Sequence, residues 1–176
     1  LHVWTGAFLA GAFLVLSVNA YYILKNRHLA IAQPAFKIAL VVATIFSVTQ
    51  LFLGHRSAEG VSVNQPAKLA ALEGHFDSNA KADMYVFGWV DKETQKTTGL
   101  KIPGGLSFLL HGDFDKEVTG LNAFRPEDRP TQLNAIFQFY HLMVAIGLTL
   151  IALTLYASWQ WRRGILFDKR WLMSVF

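Results

Sequence analysis

The segment QPAKLAALEGHF, residues 65–76, gathers Gln65, Lys68, Glu73 and His75 within little more than one short helix. A carboxylate and an imidazole can accept protons, while an amide and an ammonium can donate hydrogen bonds to ring oxygens. That combination suits oxidation of a quinol, which releases two electrons and two protons. Glu73 and His75 are the candidate acceptors and Lys68 and Gln65 the candidate donors; Leu69, Leu72 and Phe76 could face the ring and an isoprenoid tail. Lys68 and Glu73 project about 140° apart on a helix, so they are poorly placed to pair with each other. The plainer reading is a surface helix with a solvated charge on each side, and the local sequence leaves it open.

The helix itself is well signalled. Asn64 or Gln65 can cap it, Pro66 suits its first turn, AKLAALE is rich in helix formers, and Gly74 can end it. Its surroundings are unlike those of a soluble domain. The chain has 176 residues, of which 53% are hydrophobic and 16% charged, and most of the charges fall in residues 56–129. With no cysteine, disulfides, thiol nucleophiles and zinc–thiolate sites are excluded. The net charge of +4 reads as orientation signals beside membrane helices. No basic run with interleaved aromatics appears, so no nucleic-acid partner is expected. The first apolar stretch has neither a basic leader nor a small-residue cleavage site, and the chain begins inside it at Leu1. That start points to a fragment or a processed piece.

Three segments are long and apolar enough to span a bilayer: 2–24, 38–54 and 135–161. The second can extend through Ala35 and Phe36 because the stem of Lys37 can snorkel. The third ends in YASWQW, an interfacial aromatic belt. The expected fold class is an all-α membrane protein with three transmembrane helices and a long external loop. The expected divisions are helices at 1–26, 35–54 and 134–161, the loop at 55–133, and a basic segment at 162–176 that could open a further helix. Lys25, Arg27 and Lys37 mark one end as cytoplasmic, as do Arg162, Arg163, Lys169 and Arg170, which leaves the loop outside. Within the loop, MYVFGWV, DKETQKTTG and LKI suggest a small hairpin, and FRPEDRP a proline-limited connector.

QPAKLAALEGHF resembles the quinol-loop signature of subunit I of the cytochrome bd quinol oxidases. LHVWTGAFLAGAFLVLSVNAYYILKNR and FQFYHLMVAIG resemble the helices flanking that loop, and IPGGLSFLLHGD its tail. The resemblance runs over nearly the whole chain in the right order. It implies a low-spin haem b near the outer membrane face, with His2 and Met143 as its axial ligands. His2 opens the first span, and Met143 lies about 27 Å above Trp161 along the third, so both fall near the outer end. Gly6 and Gly147 follow the two ligands at i+4, where a small residue leaves room for a flat macrocycle; helix packing would use them equally well. His141 is the competing ligand, but it points roughly 200° from Met143 on a helix. The resemblance favours Met143 and gives His141 the place where an arginine often stands in the family. Of the other histidines, His28 reads as solvated, His55 could meet a haem propionate, and His111 has no assigned role.

The resemblance implies quinol oxidation coupled to reduction of dioxygen to water. No carboxylate lies within the three apolar segments, so the oxygen-reducing haems are expected on helices outside this chain. This chain would take electrons from quinol and pass them to the low-spin haem. Implied partners are quinol, the lipid bilayer, the remaining helices of subunit I or a split partner, and a subunit II-like membrane protein. The implied location is a bacterial or archaeal plasma membrane. One alternative is a membrane b-type cytochrome or quinone-binding module that relays electrons without oxidase activity. A cofactor-free scaffold subunit is another.

Overall fold

The uncharged run His2–Leu24 forms one helix, α1, in the computed structural model, which describes residues 1–176. The second helix, α2, covers Leu29–Asn64 and so outruns the apolar segment at both ends. Past Gly54 the chain stays helical because its polar residues pair along the helix: His55 and Arg56 reach Glu59 at 3.5 and 3.7 Å. Then come α3 (Pro66–Glu73), strands β1 (Met84–Asp91) and β2 (Lys96–Ile102), and α4 (Gly105–His111). Single 3-10 turns at Leu121–Ala123 and Pro126–Asp128 lead to α5 (Leu133–Arg162), and α6 (Arg170–Val175) closes the chain. Three helices, α1, α2 and the one ending at Arg162, are long and apolar enough to cross a membrane. The chain divides into two units, Leu1–Gly54 with Ile146–Phe176, and His55–Ala145.

In the first unit, α1 buries Ala12, Leu16, Ala20 and Ile23, spaced along one helical face, in a core shared with Ala32, Phe36, Ala39, Leu40 and Ala43 of α2 and with Leu172 and Met173 of α6. Phe36 meets Phe167 and Phe176 edge-on at 5.9 and 5.2 Å. Hydroxyl pairs tie α2 to α5: Thr44 to Ser158 at 3.1 Å and Ser47 to Thr154 at 3.3 Å. Leu14, Val18, Ile38 and Ile45 remain exposed, so these helices are apolar well beyond their packed faces.

In the second unit, β1 and β2 pair antiparallel from Met84↔Ile102 to Asp91↔Lys96, with a register shift between Tyr85 and Phe87. The turn is held by Asp91, whose carboxylate accepts the amides of Glu93 (2.9 Å) and Thr94 (3.3 Å). Two small cores form. Ala70, Ala71, Phe76, Val90, Leu121, Leu133 and Phe137 make one. Leu69, Ala82, Leu106, Leu110 and Val118 make the other. Leu69 and Phe76 are therefore part of the unit's own packing, and the expectation that they face a ligand ring is corrected; Leu72 stays partly exposed.

Candidate functional site

The caps of α3 decide where Glu73 points. Gln65 occupies the N-cap, although its side chain makes no capping bond, and Pro66 starts the helix. Gly74 ends it in the left-handed region at φ 62°, where a side chain is strained and where a Cβ would also lie 2.7 Å from Thr97 Oγ1. Thr97 Oγ1 donates to the Gly74 carbonyl at 2.6 Å, so β2 pins the helix end. Glu73, the last residue of α3, is turned inward and is only 3% exposed.

The side chains that receive Glu73 come from α5. Tyr140 and His141 both lie near enough to act on its carboxyl. Burial is the largest influence and pushes the Glu73 carboxyl above the usual carboxylate range; His141 and the Tyr140 hydroxyl act against that rise. His141 is rigidly held. Its Nδ1 faces the Phe137 carbonyl at 2.9 Å and its Nε2 the Tyr85 carbonyl at 2.8 Å, and its ring stacks on Phe137 at 3.9 Å. Both carbonyls accept at once only when both ring nitrogens carry hydrogen. The same stretch of α5 grips the hairpin further: Asn134 accepts the Val90 amide at 3.0 Å, and Gln138 donates to the Gly88 carbonyl at 2.6 Å.

The four residues expected around a quinol do not share one environment. Gln65 and Lys68 are exposed, Glu73 is buried, and His75 is half-buried. His75 Nε2 faces the Val118 carbonyl at 3.3 Å, and burial pushes this imidazole below its ordinary value, which favours the neutral form. A cleft of about 250 Å³ opens beside His75, lined also by Asp77, Asp83, Tyr85, Lys96 and Thr97. It reaches Gly74 but not Gln65, Lys68 or Glu73. Sequence reasoning missed Tyr140 and Tyr85; the one available signal for Tyr140 was its place beside His141 in FQFYHLMVAIG.

His2 faces Gln50, with their Nε2 atoms 3.2 Å apart, and Gln50 Oε1 in turn accepts the Thr5 hydroxyl. A Cβ on Gly6 would lie 3.5 Å from Gln50 Nε2, so Gly6 faces α2; Gly54 is the glycine beside the His2 ring, at 3.8 Å. His2 Nδ1 is buried without a hydrogen-bond partner. Met143 is 58% exposed, and the face of Gly147 is open. No group of three or more His, Asp or Glu side chains could hold a bare ion. A haem asks less of the protein, because its macrocycle fills the equatorial positions and only axial donors are needed. An unpartnered imidazole nitrogen and a thioether are of the right donor type. Of the remaining histidines, His55 pairs with Glu59, and His111 lies exposed in the last turn of α4.

Known proteins share this arrangement of elements. The family model described as cytochrome bd terminal oxidase subunit I matches residues 1–176. A Bacillus subtilis (strain 168) protein described as a cytochrome bd menaquinol oxidase subunit I is 35% identical over 99% of this chain and 40% of its own length. The cytochrome bd-II ubiquinol oxidase subunit 1 of Escherichia coli (strain K12) is 33% identical over 73% of this chain and 26% of its own. The solved bd oxidase of Geobacillus thermodenitrificans superposes with a TM-score of 0.86 at 29% identity, covering 99% of this chain and 40% of that one. The chain thus spans about 40% of the length of the first of these relatives. By the match along its whole length, the chain belongs to the cytochrome bd terminal oxidase subunit I family.

Proposed function

We propose that this chain is the quinol-oxidising part of a membrane quinol oxidase, with residues 55–133 on the external face of a bacterial or archaeal plasma membrane. The observation that carries the reading is the burial of Glu73 at the end of α3 beside Tyr140 and His141. A buried carboxylate costs stability, and its raised proton affinity makes it a better base near working pH than a solvated one. Glu73 takes one quinol proton, and neutral His75, beside the external cleft, is placed to take the other or pass it outward. Lys68 and Gln65, exposed on α3, are the candidate donors to the ring oxygens.

His2 and Met143 would hold a low-spin haem b as its protein ligands, with Gly6, Gly147 and His141 close to it. When bound, that haem supplies one-electron acceptance, and a His/Met pair gives it a higher potential than two histidines would. Dioxygen reduction, the further haems, the remaining helices of subunit I or a split partner, and a subunit II-like protein belong to the same proposal. Relay of electrons to another acceptor without oxygen chemistry is the second reading, and finding the other haems beside this chain decides against it.

Glu73→Gln in the assembled oxidase is expected to lower quinol turnover at least 100-fold, about the scale of a lost general base, with haem content retained. Lys68→Ala lowers it by less. Wild-type turnover in Glu73→Gln would remove the proposed role of α3. Met143→Leu is expected to abolish or convert the low-spin haem spectrum while the helices still insert, and an unchanged reduced spectrum refutes the ligand assignment.

A further inference from the structure

The β1–β2 hairpin turns an apolar face away from its own unit. Val90 is buried in the core beside α3, Tyr85 packs against that core, and Thr97, opposite Val90, bonds the Gly74 carbonyl. Side chains alternate across a sheet, so the other face carries the pairs Phe87↔Leu100 and Trp89↔Thr98. Phe87 and Trp89 are each 64% exposed, and Leu100 is 55% exposed. An antiparallel sheet with one face on its core ordinarily turns polar residues the other way. This one turns out two aromatic rings and a leucine, and an open apolar face of that kind marks a place of contact.

The way the hairpin stands on α5 identifies the contact. Three side chains along α5 hold three backbone groups of β1 in reverse order. Asn134 accepts the Val90 amide at 3.0 Å, Gln138 donates to the Gly88 carbonyl at 2.6 Å, and His141 Nε2 faces the Tyr85 carbonyl at 2.8 Å. β1 therefore runs antiparallel to α5, and its Tyr85 end lies about 10 Å further along that helix than its Val90 end. That direction leads into the apolar span, where α5 exposes Phe139, Leu142 and Val144. The polarity of the hairpin follows the same axis. Its turn, beyond Asn134, holds the exposed Lys92, Glu93 and Lys96, and its far end holds Phe87, Leu100 and Ile102. Lys101, near that end, is paired with Asp83, and its stem can carry the charge toward the headgroups. The grips from α5 also satisfy backbone groups of β1 without water, as an apolar medium demands.

We propose that the face carrying Phe87, Trp89 and Leu100 is a membrane anchor. It rests in the interface of the leaflet where α5 begins, with its rings at headgroup depth and the charged turn in water. Tryptophan suits that depth because its ring is apolar and its one N–H can reach the wet side. A bilayer explains why charge and apolar surface sort by depth along α5; a protein partner requires no such sorting. The anchor stands whether or not quinol is oxidised at Glu73.

Fluorescent labelling of the assembled oxidase tests it. The chain has no cysteine, so Thr98→Cys and Leu100→Cys each give it one attachment point. The signal of unchanged oxidase, treated alike, is subtracted. Both positions are exposed and belong to neither small core of the unit, so each variant leaves the packing intact. In vesicles of phosphatidylcholine brominated on its acyl chains, both labels are expected to lose emission to the lipid and to be spared by iodide in the water. The loss is expected to be larger at 100, which lies up to about 7 Å deeper than 98 along the strand. A label on Lys92→Cys, in the turn, shows the reverse preference. A label at 98 or 100 that iodide quenches as fully as the one at 92 puts the face in water and overturns the anchor. A label there that neither quencher reaches shows the face covered by protein, whether another helix of the oxidase or a second copy, and overturns it equally.

Discussion

The buried hydroxyls of one unit and the buried carboxylate of the other differ in what it takes to bury them. Among the polar side chains buried in Leu1–Gly54 with Ile146–Phe176 are the hydroxyls of Ser47 and Thr154, which are satisfied largely by their own helices. Ser47 donates to the Thr44 carbonyl at 3.1 Å, and Thr154 to the Leu150 carbonyl at 3.0 Å. Such groups cost little to bury and add modest links between helices. The unit His55–Ala145 buries the carboxylate of Glu73, with Tyr140 and His141 of α5 near enough to act on it. Removing a carboxylate from water is expensive even when it is partnered, so stability alone does not explain its place. Buried hydroxyls in the first unit read as glue, whereas the buried acid in the second reads as chemistry.

The units should also differ in how they tolerate lost volume, and this is the largest effect expected here. Phe137 and Phe36 are both 0% exposed. Phe137 holds together Tyr85, His141 and the core around Phe76 and Val90. Its truncation to alanine should destabilise that unit by about 3–5 kcal/mol, seen as rapid proteolysis of residues 55–133 and loss of quinol turnover. Phe36→Ala leaves a hole among helices whose outer faces are already apolar, where lipid tails can compensate in part. It should cost less, and the helices should stay protected from protease. Equal sensitivity of the two variants would mean that the first unit is held by a water-driven core like the second.

Legibility followed the same divide. The bounds of α1 could be read because nothing charged interrupts it, and α3 because Pro66 and Gly74 punctuate it. The hairpin showed in the polar turn between two apolar runs. The continuation of α2 past Gly54 was hidden, since His55, Arg56 and Glu59 read as loop until they are seen to pair on one helix face. The positions of Leu69 and Phe76 were ambiguous, because an apolar residue on a short helix serves a core as well as a ligand. Glu73 could be picked out as a candidate base. Its partners could not, because Tyr140 and His141 lie far along the chain and only the fold brings them to it.

The smallest expected effect tests the glue. Ser47 is 2% exposed and shares a 3.3 Å contact with Thr154. In Ser47→Ala the Thr154 hydroxyl keeps the Leu150 and Ile151 carbonyls at 3.0 and 3.1 Å, so nothing buried is stranded. The cost should then be about 0.6 kcal/mol, the usual worth of a hydrogen bond between membrane helices. Thermal melting of the purified oxidase should shift by only a degree or two, and a cycle with Thr154→Val should return a coupling of about the same size. A loss above about 2 kcal/mol, close to that of a stranded buried group, would show that these hydroxyls are committed to something beyond their own helices. The first unit would then need a functional account of its own, as the second does for Glu73.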